Sequence, residues 1–358
     1  MKPNAAQRDV LPDLLKALLM FSVLLQHSAT ALKVGQHVGA GNWTNWLSAS
    51  PFNMPLFMAI CGYYFFHSAK RRTFPALMRS KLLMILVPCV AWIMLSKCVR
   101  HFLFGSPVSF LPWPDALWFL WSAMICMVLG SMCHYAFRRV EGWAMAAVCV
   151  ALHLVPQDIY NVAYMFPFFS LGYMACKYDW ASRFTPWMGM VAVAGYAVLH
   201  CFITGESSVW VSHSYLLGDM SWEGVCGQLL TNAYRFSIGF FGSVGFCHVV
   251  KVLHPLIAKA ARKYRVPGWR LLKQWLLALG QYSLVVYASQ ALFLEHGTGK
   301  LFKILSAHGM YNPAAIPPPV FQWVCIPLTA FIISLVCLGA LEGAKACRAT
   351  RFLFVGKE

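Results

Sequence analysis

The chain has 358 residues, 59% of them hydrophobic and only 11% charged, with a mean hydropathy of +0.59. A soluble domain of this length carries roughly 25% charged residues, so a water-soluble globular fold is excluded. The net charge of +17, from 29 Lys and Arg against 12 Asp and Glu, would suggest nucleic acid in a soluble protein; here the basic residues fall between apolar stretches, so they read as a membrane-orientation signal with no nucleic-acid partner.

The first apolar stretch, Leu11–Leu32, is too long for a cleaved leader, contains Asp13 and Lys16, and has no small-residue cleavage pattern after it. It reads as a retained helix. Lys16 and His27 are eleven residues apart, which at about 100° per residue returns to within roughly 20° of one face with a rise of about 16 Å. Asp13 precedes Lys16 by one turn and can pair with it. Ionisable groups inside a span are costly, which makes them functional candidates. The competing reading is that Lys16 reaches back to the headgroups and His27 caps the span.

Further apolar stretches follow at Leu47–His67, Leu82–Val99, Ala116–Ala136, Gly142–Val155, Tyr160–Cys176, Met188–Phe202, Gln228–Val250, Trp275–Leu294 and Val320–Leu341. The fifth and seventh are short against the roughly 20 residues a crossing needs. The pattern predicts an all-α membrane bundle of about ten spans, forming one domain over residues 1–358. Its longest external links, His200–Gly227 and Glu295–Pro319, read as loops. With the N-terminus in the cytoplasm, 22 of the 29 basic residues fall on the cytoplasmic side, as the positive-inside rule requires, and both termini are then cytoplasmic.

The second span carries Asn53-Met54-Pro55 and Gly62-Tyr63, and a basic segment follows it: Lys70-Arg71-Arg72, then Arg79 and Lys81. Such a cluster suits a polyphosphate such as the nucleotide end of coenzyme A; equally, it serves as the orientation signal with anionic-lipid contacts. Arg235 is a second cation within a span. His213 stands in an external stretch with Trp210, Asp219, Trp222 and Glu223, a set suited to a sugar, although interfacial Trp is ordinarily part of an aromatic belt. The thirteen cysteines lie mostly within apolar stretches, without a Cys-x-x-Cys, and read as packing residues with no metal site.

Taken in order, these residues resemble the membrane acyltransferase-3 family, which O-acylates sugars. The resemblance runs through Lys16-x10-His27, Met54-Pro55-Leu56-Phe57 with Gly62-Tyr63, the basic segment, Leu86-Val87-Pro88 and Leu117-Trp118-Phe119-Leu120. It continues through Phe166-Pro167-Phe168-Phe169 with Leu171-Gly172-Tyr173, Arg235-Phe236-x-Ile238-Gly239-Phe240, and Leu279-Gly280-Gln281-Tyr282-Ser283-Leu284 with Tyr287. The sequence departs from the family at Ala17, where Gly is usual, and at Asn53 and Gln290, where His is common. The basic segment also lacks an Arg-x-x-Arg.

The resemblance implies transfer of an acyl group, most simply acetyl, from cytoplasmic acetyl-CoA to a hydroxyl of a cell-surface or lipid-linked glycan at the inner membrane. No permanently bound cofactor is implied. His27 is then the general base, as a neutral imidazole suits that role. Lys16 and Arg235 hold the donor or balance developing charge, and Lys70, Arg71, Arg72 and Arg79 grip the CoA phosphates. Asn53, Tyr63, Trp118 and Tyr287 are the implied substrate contacts. A separate extracytoplasmic transferase is a possible partner. The competing class is a transporter or flippase for an anionic lipid-linked sugar, using the same in-membrane cations.

Overall fold

The computed structural model describes residues 10–33, 51–105, 117–155, 161–203, 218–264 and 267–356. It is all-helical, with 86% helix and no strand among the described residues. In chain order the helices are α1 (Leu11–Lys33), α2 (Asn53–Ala69), α3 (Phe74–Lys81), α4 (Val87–Phe104), α5 (Trp118–Ala136), α6 (Glu141–Leu152), α7 (Val162–Lys177), α8 (Trp180–Arg183), α9 (Pro186–His200), α10 (Trp222–Lys263), α11 (Trp269–Gln281), α12 (Ser283–Gln290), α13 (Gly299–Ala307), α14 (Ile326–Lys345) and α15 (Arg348–Val355).

Among the described residues, five helical segments are long and apolar enough to cross a membrane: Leu11–Leu32, Phe74–Phe102, Trp118–Ala136, Trp222–Lys263 and Pro318–Lys345. A sixth results if Trp269–Gln281 and Ser283–Ala307, which meet at 80°, form one broken span. The chain is thus a multi-pass membrane protein. Helices also occupy the other stretches expected to cross, but α2, α6, α7 and α9 have 17, 12, 16 and 15 residues, short of a full span.

Several expected boundaries move. Arg79 and Lys81 lie on α3, not in a loop, because α3 runs into α4 through a π-helical turn, Leu82–Leu86. That turn precedes Pro88, and a matching π turn, Phe321–Cys325, precedes Pro327 of α14. Proline lacks the N–H for an i−4 bond and its ring presses on that carbonyl, so the preceding turn widens. The expected loop Glu295–Pro319 contains α13, and α10 begins at Trp222 and continues through Pro255 to Lys263.

Packing follows small residues. A Cβ on Gly62 of α2 would overlap the Phe169 carbonyl oxygen, and one on Gly172 of α7 would overlap that of Ala59. The α2 and α7 backbones therefore touch at two reciprocal points, the close approach that small residues permit between membrane helices. Gly280 of α11 meets the Asp13 carbonyl of α1 in the same way. Helix α14 buries Ala330, Ile333, Ser334 and Cys337 while exposing Leu328, Phe331, Ile332, Leu335 and Val336; a helix apolar on every face suits lipid contact.

Candidate active site

Residues Lys16, Met20, Val23 and His27 share one face of α1, at the i, i+4, i+7, i+11 positions. Met20 and Val23 are both fully buried in the main core, with Met58, Phe119 and Tyr287. The Lys16–His27 face is therefore turned into the bundle rather than toward lipid. Lys16 is half-buried and pairs with the buried Asp13 at 2.8 Å. His27 is half-buried.

The first turn of α2 is fastened to the middle of this face: Asn53 Nδ2 donates to Ser22 Oγ at 2.7 Å. Two residues before Asn53, the Pro51 carbonyl is 3.4 Å from the Tyr164 hydroxyl of α7, which also lies 3.2 Å from the Arg235 carbonyl and donates to both. Arg235 is fully buried, its guanidinium 4.5 Å from the centre of the Tyr164 ring. That stacking partly offsets desolvation of the charge. A polar path thus joins α1, α2, α7 and α10.

The depth of Arg235 can be placed against His27. Val250 packs with Leu14 and Leu15, while Gly242 packs against Phe52, next to Asn53 and hence level with Ser22. Eight residues back along α10 match eight residues forward along α1. Arg235 and His27 each lie a further five to seven residues in that sense, roughly 8–10 Å beyond the Ser22–Asn53 level.

The remaining candidates form two further groups. Trp118 and Tyr287 both pack on Phe119, at ring-centre distances of 6.0 and 5.8 Å, and Phe119 packs on Phe57 at 6.0 Å. Tyr63 stands away from them, edge-on to His67 at 5.6 Å near the far end of α2. Lys70, Arg71, Arg72 and Arg79 are exposed at that same end. The Lys70–Arg72 turn is held through its backbone, since the Tyr135 hydroxyl donates to the Arg72 carbonyl at 2.6 Å and the Ala69 carbonyl at 3.2 Å. Helix α2 spans about 24 Å between Asn53 and Ala69. The structure therefore separates Arg235 from the basic segment.

Lys81 is a residue whose position the sequence did not reveal. It is half-buried at the end of α3, whereas Lys70, Arg71, Arg72 and Arg79 are exposed. A second buried cluster joins α5, α6 and α7: Glu141 accepts from Tyr173 at 2.8 Å, contacts His134 at 3.0 Å and pairs with Lys177. Asp219, one of the suggested sugar contacts, and Ser221 act in capping α10: Asp219 accepts from the Ser221 N–H at 2.9 Å and Ser221 accepts from the Gly224 N–H at 3.0 Å. The hydrogen bonds from Ser221 hold the Asp219 carboxyl below its usual range. Trp210 and His213 lie outside the described residues.

The family model for the acyltransferase-3 domain matches residues 10–339, nearly the entire chain, from the start of α1 to within α14. The chain belongs to the acyltransferase-3 family. Two nodulation proteins NolL are similar to this acyltransferase-3 chain. That of Sinorhizobium fredii (strain NBRC 101917 / NGR234) is 29% identical over 187 residues, covering 48% of this chain and 50% of its own. That of Mesorhizobium japonicum (strain LMG 29417 / CECT 9101 / MAFF 303099) is 26% identical over 186 residues, covering 47% and 48%. The chain spans about half the length of these curated relatives. No solved structure matches it.

Proposed function

We propose that the protein is an integral membrane O-acyltransferase that moves an acyl group, acetyl in the simplest case, from acyl-CoA to a hydroxyl of a cell-surface or lipid-linked glycan. The observation that carries this reading is the inward-turned Lys16–His27 face with fully buried Arg235 at the depth of His27. A half-buried imidazole at the depth of a buried cation is the equipment for deprotonating a hydroxyl while stabilising negative charge at a thioester carbonyl.

In this reading the donor enters at the end of α2 bearing Lys70, Arg71, Arg72 and Arg79, which take the nucleotide phosphates. Its arm passes Lys81 and Lys16 and brings the thioester to His27. The acceptor arrives from the opposite side. His27 takes the hydroxyl proton as the oxygen attacks the thioester carbonyl. Arg235 balances the charge on the carbonyl oxygen. The C–S bond then breaks and the departing thiolate receives the proton from the imidazolium, leaving an acyl ester and free CoA. Trp118 and Tyr287 line the path, and Tyr63 lies near its entrance. Ten crossings with both termini cytoplasmic, in an inner membrane, put the donor end of α2 in the cytoplasm, where acyl-CoA is found; the excess of basic residues on that side supports this orientation.

The deciding experiment uses purified protein in detergent or liposomes with acetyl-CoA and candidate glycans. Glycan-dependent release of free CoA is expected. A transporter or flippase would leave the thioester intact while moving the glycan lipid. Orientation is tested separately in a cysteine-free background: a cysteine at His308 should react with an impermeant maleimide in intact cells, and one at Tyr264 only after permeabilisation.

A further inference from the structure

Gln290 ends α12 and is fully buried, yet neither polar atom of its side-chain amide has a hydrogen-bond partner among the described residues. Asn53, 4% exposed, donates to Ser22, but its own carbonyl oxygen likewise has no partner among the described residues. A buried amide left without partners is costly, roughly 1–3 kcal/mol, and in native structures requires an explanation.

The two amides share a level. Gly280 touches α1 at Asp13, and Gly299 faces it at Ala31, where an added Cβ would lie in ordinary contact with the Ala31 side chain. Between these anchors α12, the π-helical turn Ala291–Thr298 and α13 all contact α1. Gln290 is the midpoint of the Gly280–Gly299 segment, and Ser22, which holds Asn53, is the midpoint of Asp13–Ala31. The aromatic group fixes their faces. Tyr287 lies one turn before Gln290 and Phe57 one turn after Asn53, on the same faces of their helices, and both pack on Phe119. Gln290 and Asn53 thus both stand one turn beyond the Tyr287–Phe119–Phe57 layer, on the side toward His27. A π-helical turn directly after Gln290 is a feature common at functional sites.

Together the two side chains offer an N–H donor and two carbonyl acceptors, at a level between Lys16 and the imidazole of His27. A secondary amide has the complementary donor and acceptor. We propose that Gln290 and Asn53 bind an amide group of the acyl donor's pantetheine arm, so that the thioester is set at the depth of His27. This rests on the acyl-CoA reading above.

The test compares donors that carry no nucleotide: acetyl-pantetheine, and an analogue in which the amide nearer the thioester is replaced by methylene groups. The unsubstituted protein should favour the amide donor, in kcat/KM, by about tenfold or more. Gln290→Met, close in volume and apolar, should erase that preference by lowering the rate with the amide donor alone, and its thermal midpoint should be no lower, since a buried polar group without partners is removed. Gln290→Asn, which withdraws the amide by one methylene, should also reduce the preference and serves if the Met variant does not purify. Equal losses with both donors, or an increase confined to the acceptor KM, would overturn the proposal and assign the amides to packing or to the acceptor. If the unsubstituted protein consumes neither donor nor acetyl-CoA, the acyl-CoA reading itself fails.

Discussion

The 2.7 Å hydrogen bond from Asn53 to Ser22 ties the beginning of α2 to α1 halfway between Lys16 and His27. Because α2 descends from that point to Lys70, the bond sets the whole height of the proposed donor path: phosphates at one end, imidazole at the other. It also aligns α10, whose Gly242 packs on the preceding residue, Phe52.

His27→Ala should abolish transfer while the protein inserts and purifies as a single species. Removal of a general base costs about 10²–10⁴ in rate. Glycan acetylation measured from acetyl-CoA within a few-fold of the unsubstituted protein would remove His27 from the mechanism.

Arg235 separates two kinds of binding. If it balances charge that develops only at the transition state, Arg235→Gln should lower kcat by about 10²-fold with donor KM changing little. Arg235→Lys keeps a charge but loses the planar stacking on Tyr164, and should retain part of the rate. Initial rates over a range of acetyl-CoA concentrations decide this; a raised KM at constant kcat would make Arg235 a donor-holding residue instead.

The two-point glycine contact between α2 and α7 predicts a stability effect without chemistry. Gly62→Ala forces a methyl group into the Phe169 carbonyl, and overpacking of this kind costs about 1–3 kcal/mol or more. The thermal midpoint of the purified protein should fall, and activity should fall with it as Asn53 is displaced. Gly339→Ala in α14, where a Cβ would meet nothing within 4 Å, should leave the midpoint unchanged or slightly raised through helix propensity. Equal midpoints for the two variants would contradict the close approach.

The helical class and the membrane character were legible in the sequence because hydropathy reports them directly, and the 3.6-residue period put Lys16 and His27 on one face of α1. The direction of that face is set by the burial of Met20 and Val23 between Lys16 and His27, which only the packing shows. Helix lengths were less legible: Arg79 and Lys81 looked like loop residues because charge lowers hydropathy, although the helix continues through them. The glycine motifs were visible, but their use as paired contacts, Gly62 with Phe169 and Gly172 with Ala59, is a property of two distant segments at once. Tyr164 beneath Arg235 had no local signal, and Gln290 stood out only as a departure from the family pattern, since each owes its meaning to a neighbour from another helix.

The basic segment gives the sharpest contrast between a ligand role and an orientation role. Arg71 and Arg72 are exposed on a turn fixed through backbone carbonyls by Tyr135, so their side chains can change without loss of the turn. CoA phosphates do not react, and contacts to them are equally strong in ground and transition states; losing such contacts raises KM and leaves kcat nearly unchanged. Charge-assisted bonds are worth roughly 1.5–3 kcal/mol each. Arg71→Gln with Arg72→Gln should therefore raise acetyl-CoA KM by at least about tenfold, higher salt should imitate part of the effect on this exposed turn, and the acceptor KM should barely move. Acetyl-pantetheine, which has no nucleotide, should show no change in KM, a contrast that a general loss of structure cannot produce. If the two arginines serve only to orient the chain, Lys70, Arg79 and Lys81 preserve the topology, and acetyl-CoA KM in correctly inserted protein stays where it was.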